Sequence, residues 1–141
     1  MRHPKYRITP TTADIGLEVW AESLSVLFVN AAQAILNIMA DTQAIGSSVV
    51  LDLEVEGRDT EGLMVTWLNE IIFLHEAKEL VFTKVEVLQF ANLSVKGRLY
   101  GEAIDLSRHR LGRLIKGVTY HRLNISQLAE HEWRLQLILD I

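Results

Sequence analysis

The sequence predicts an α+β fold, a three-layer sheet–helix–sheet sandwich with two buried helices. Three observations predict it. Two long stretches of helical character, SLSVLFVNAAQAILNIMA and EGLMVTWLNEIIFLHEA, are apolar nearly all round, and a helix with no wide polar face is covered on more than one side. Much of the remaining chain falls into strand-like runs, several of which alternate apolar and polar residues. No internal repeat, low-complexity tract or linker interrupts the 141 residues, so residues 1–141 read as one domain. A two-layer α+β fold is the alternative, and it would leave one helix face wet or in an oligomer interface.

Taken in order, KYRITP and IGLEVW each read as a short strand, separated by the turn-like TTAD. In the second run Ile15, Leu17 and Val19 alternate with Gly16, Glu18 and Trp20. Ser23 is the expected N-cap of the first helix, whose alanines and leucines favour that state. QAIGSS is a loop. VVLDLEVEG alternates strictly, with Val50, Asp52, Glu54 and Glu56 on one face and Val49, Leu51, Leu53 and Val55 on the other. Asp59 or Thr60 caps the second helix. Four strand-like runs follow: LVFTKVEVLQF, NLSVKGRLYGE, LIKGVTYHRLNIS and HEWRLQLILDI. A tight hairpin at Ala91-Asn92 separates the first two.

Composition excludes several chemistries. With 49% hydrophobic and 23% charged residues the chain is globular and not disordered. The absence of cysteine removes disulfides, thiolate zinc sites and cysteine nucleophiles. The charged start MRHPKYRITP lacks the apolar core of a signal peptide, and no apolar run approaches the length of a membrane span, so a cytoplasmic protein is expected. The net charge of −4 is uneven. Arg108, Arg110, Arg113, Lys116 and Arg122 lie in a stretch without a single acid. That asymmetry points to a local contact with phosphate or an acidic partner.

Familiar catalytic signatures are missing. There is no G-x-G-x-x-G after a strand, no Walker lysine and no G-x-S-x-G elbow, and His75-Glu76 and His131-Glu132 lack the second histidine of a zinc protease. Two aspartates carry the chemistry instead. Asp14 stands between a turn and a strand, where it either caps the turn or serves as a ligand. Asp140 lies on the face of the last strand opposite Leu135, Leu137 and Leu139, and Ile141 adds the chain-terminal carboxylate. Adjacent anions repel unless a cation or donors sit between them, and hard divalent ions prefer such oxygens. A frayed, solvated end is the competing reading of Asp140. Lys116 falls at the start of a strand, with His121 on the opposite face if that strand is regular. Arg108, Arg110 and Arg113 read as a solvated loop or as a docking segment for RNA backbone or a partner.

TADIG, GLMVTWLNEIIFL, the GE…D…H of GEAIDLSRHR, IKGVTYH and the closing ILDI occur in that order. Together they resemble the archease family over essentially the whole chain. The resemblance implies the sandwich fold inferred above and a cytosolic accessory protein, not an enzyme. Its partner would be an RtcB-type tRNA-splicing RNA ligase, which joins RNA ends through a guanylylated histidine using GTP and metal. The accessory protein would promote guanylylation and turnover, and would meet tRNA or other RNA only through the ligase. The resemblance places a divalent-cation site, for calcium with magnesium or manganese as the options, on Asp14, Asp140 and the carboxylate of Ile141, and a functional lysine on Lys116. One departure stands out: the family's Asp-His-Thr-Ala-Asp is here Pro10-Thr11-Thr12-Ala13-Asp14, without the histidine. The competing readings are a chaperone-like or RNA-binding module acting through the basic 108–122 segment, and a metal-dependent hydrolase, for which no water-activating base is evident.

Overall fold

A computed structural model describes residues 4–141; the first three residues of the charged N-terminal stretch lie outside it. The two helices do lie between two antiparallel sheets. The larger sheet runs β1 (Tyr6–Pro10), β2 (Asp14–Ala21), β8 (Glu132–Asp140), then β6 (Gly117–Val118), with β7 (Asn124–Ala129) also paired to β8. The smaller sheet has the order β3 (Val49–Glu56), β5 (Ser94–Ala103), β4 (Leu80–Ala91).

Helix α1 (Leu24–Met39) begins where the Ser23 hydroxyl accepts the Val26 N–H at 3.3 Å. Helix α2 (Thr60–Ala77) is capped by Asp59, whose carboxylate accepts the Gly62 N–H at 2.6 Å. Such caps satisfy main-chain donors that the first helical turn leaves free. The two helices supply much of the core, including Leu27, Phe28, Ile35, Leu63, Leu68 and Ile71. Trp67 ties them together by donating its indole N–H to the Phe28 carbonyl at 3.0 Å. Gly97 on β5 is bare for the same reason: a Cβ there would stand 2.4 Å from the Trp67 ring.

The expected alternation holds in β3, where Leu53 and Val55 are buried and Asp52, Glu54 and Glu56 are exposed. It also holds in β8, where Leu135, Leu137 and Leu139 are buried. A short 3-10 turn, Thr42–Ala44, capped by Asp41, leads into the expected loop at QAIGSS. The β4–β5 hairpin turns at Asn92-Leu93, one residue later than expected, with Leu93 at φ 59°.

One expected strand is two. In LIKGVTYHRLNIS only Gly117–Val118 and Asn124 onward pair with β8. Between them the chain turns, with Leu123 N–H donating to the Tyr120 carbonyl at 3.1 Å and Arg122 at φ 56°. His121 therefore lies exposed in that turn, not on the far face of a regular strand.

Candidate functional site

The two nominated aspartates meet through the sheet register. β2 and β8 pair so that Asp14 stands directly opposite Asp140, and Gly117 of β6 stands opposite Asp140 on its other side. Directly opposed residues have Cβ atoms about 5 Å apart, and like charges there destabilise the pairing. The end of the chain is held: Asp140 has strand neighbours on both sides, and Ile141 packs against the hydrophobic core. A frayed end is thus not what the fold builds.

Asp14 does not cap its turn in the expected way. Thr11 closes the turn instead, its hydroxyl accepting the Asp14 N–H at 3.1 Å and donating to Asp14 Oδ1 at 2.6 Å. Among the described residues, neither Asp14 nor Asp140 is in an ion pair.

Lys116 lies directly before β6 and donates its main-chain N–H to the Asp140 carbonyl at 2.7 Å. Its exposed side chain shares with Asp140 the wall of an open pocket of about 390 Å³. Gly117, Val118 and Thr119 form one further side, and Asn69, Ile72, Phe73 and Glu76 of α2 the other.

Sequence reasoning missed the residue that holds this edge in place. A two-residue strand has little pairing of its own. Asn69 completes it from the side opposite β8: its Oδ1 accepts the Val118 N–H at 2.8 Å and its Nδ2 donates to the Val118 carbonyl at 3.0 Å. The amide acts as the strand that is missing there. The available signal was a lone asparagine inside the apolar run MVTWLNEIIFL.

The basic segment is only partly free. Arg108 pairs with Glu102 at 3.2 Å and with Asp105 at 3.4 Å. Glu102 also accepts the Gly46 N–H at 3.0 Å and contacts His109 Nε2 at 2.6 Å. These donors, led by the Gly46 N–H and the Arg108 guanidinium, hold the Glu102 carboxyl down at about 2. His109, its side chain 0% exposed, accepts the Asp105 N–H at Nδ1, which leaves Nε2 to carry the proton toward Glu102. The loop then docks on the end of α1, where Gly112 N–H reaches the Met39 carbonyl at 2.8 Å and Arg113 N–H the Ile38 carbonyl at 2.9 Å. A Cβ at Gly112 would fall 2.1 Å from the Ile38 oxygen. Arg110 and Arg113 remain exposed without an ion-pair partner among the described residues.

Fold and corner together define a class: two helices clasped by antiparallel sheets, with an acidic meeting point of β2 and β8 beside an exposed lysine. A sequence model described as the "Archease protein family (MTH1598/TM1083)" matches residues 6–141. The protein archease of Pyrococcus furiosus is 35% identical over 133 residues, covering 92% of this chain and 94% of that one. That of Methanosarcina barkeri is 31% identical over 141 residues, covering 97% and 96%. The chain belongs to the archease family. The solution structure of Methanobacterium thermoautotrophicum protein 1598 superposes with a TM-score of 0.78 at 26% identity, covering 97% of this chain and 99% of that one. The crystal structure of an archease of Thermotoga maritima, described as a possible chaperone, shares the fold with a TM-score of 0.66 at 20% identity, covering all 100% of this chain and 98% of that one.

Proposed function

We propose that this protein is a cytoplasmic accessory factor that activates an RtcB-type RNA ligase, promoting its guanylylation and repeated turnover. Family membership supports the partner. The observation that carries the mechanism is the register that sets Asp14 against Asp140, with Lys116 bonded to the same residue.

Two side-chain carboxylates and the Ile141 carboxylate are the oxygen donors that calcium, magnesium or manganese take. Among the described residues no group of three or more His, Cys, Asp or Glu side chains is placed to hold a metal. The site therefore depends on the Ile141 carboxylate, with water or the Thr11 hydroxyl completing it. A bound divalent ion would relieve the repulsion of the opposed aspartates and offer a Lewis-acidic centre for phosphate oxygens. Lys116 supplies a mobile point charge next to it, suited to a phosphate or to an acidic group of the ligase. The cation would respond to the triphosphate and metal in the ligase site, while RNA is met only through the ligase.

The test mixes the protein with its cognate ligase, GTP and manganese and follows guanylylation over several turnovers. The expected result is a faster rate and multiple turnover with wild type, lost with Asp140→Asn and Lys116→Ala. An unchanged rate with wild type removes the proposal. The pairing of Arg108 with Glu102 and Asp105 weighs against RNA binding through the basic 108–122 segment, since it neutralises one of that segment's four arginines.

A further inference from the structure

Helix α2 is buried along most of its length, yet Phe73 is 57% exposed. The sequence counts it among residues that a covered helix hides. It stands instead on the lip of the pocket that holds Lys116 and Asp140. Gly62, Thr66, Asn69, Phe73 and Glu76 recur at helical spacing, so they form one stripe along α2. Toward the start of that stripe the exposed Tyr120 places its hydroxyl 3.2 Å from where a Gly62 Cβ would be. Phe73 on the lip of the pocket and Tyr120 near the start of the stripe are both exposed aromatics, the residue type that anchors protein-binding surfaces.

Charge selects the occupant. Glu76 and Asp140 line the pocket against the single Lys116, and Asp14 and the Ile141 carboxylate lie just beyond. The rim stays net negative even with a divalent ion bound. Isologous pairing of two copies would set acidic rims together. We infer that this α2–β6 groove is the seat of the partner ligase, filled by a segment that offers an apolar side chain to Phe73 and a basic one to Glu76 and Asp140. The inference rests on the proposed ligase partnership and adds to it the anchoring residue.

Phe73→Ser tests it, and exposure at this position keeps the fold intact. Purified ligase is titrated with wild type and variant, reading binding and guanylylation separately. The variant is expected to need at least tenfold more protein for half-maximal binding and stimulation. It should reach the same plateau and titrate calcium as wild type does. Glu76→Lys should weaken binding in the same direction. A binding curve that overlays wild type overturns the inference, as does sedimentation showing a wild-type dimer that Phe73→Ser dissolves. Wild type that binds the ligase without stimulating it defeats the functional proposal alone, and the Phe73 comparison still decides the groove.

Discussion

Asn69→Leu tests how the corner is assembled. Leucine keeps the volume of asparagine approximately but cannot pair with the main chain. It removes the bonds of 2.8 and 3.0 Å to Val118 and leaves both main-chain groups of a partly buried edge without a partner. Each such bond contributes ~1 kcal/mol net, so the pair should cost about 2 kcal/mol, a change near 30-fold in the folded-to-unfolded ratio. Urea unfolding followed by circular dichroism measures this directly, with the slope unchanged and the midpoint lowered. Asn69→Asp separates the two bonds: it keeps the acceptor for Val118 N–H and loses the donor to the carbonyl, so an intermediate loss is expected. Calcium affinity should fall with Asn69→Leu, because β6 flanks Asp140. If Asn69→Leu unfolds within ~0.5 kcal/mol of wild type, a size within the noise of ordinary surface changes, the clamp is not what holds β6.

Calorimetry with calcium should give a binding heat for wild type and none for Asp14→Asn, Asp140→Asn or a chain carrying one added residue after Ile141. A normal heat from the extended chain would remove the terminal carboxylate from the ligand set. Glu102, held at about 2 against an ordinary 4.5, binds its proton less readily folded than unfolded. Its contribution to stability is therefore fully present above pH ~4.5 and lost as pH falls through about 2. The stability gap between wild type and Glu102→Gln should be widest at neutral pH and close across that window in acid unfolding; a gap independent of pH contradicts the pairing described.

What could be read in the sequence was what depends on local pattern. Alternation in VVLDLEVEG and LQLILD marked the buried faces correctly, and two helices without a polar face demanded a layer on each side. Asp14 and Asp140 stood out as acids among apolar neighbours, but their meeting is a matter of register between strands at opposite ends of the chain, which no local pattern encodes. The break after Val118 was hidden because Arg122 takes a left-handed conformation that glycine or asparagine would have advertised. Arg108 looked like free charge because Glu102 and Asp105, which neutralise it, lie just before the acid-free stretch.

β8 is the hub of the larger sheet, bonded to β2 on one side and to β6 and β7 in succession on the other, and it is synthesised after all three. During translation the β1–β2 hairpin can form early, but the rest of that layer has nothing to assemble on until β8 leaves the ribosome. The smaller sheet also closes on its last-made strand, β5, but over a much shorter stretch of chain. The helices thus spend most of synthesis with one flank uncovered, and closing the sheet over a separation of more than a hundred residues makes the last step a slow, non-local one.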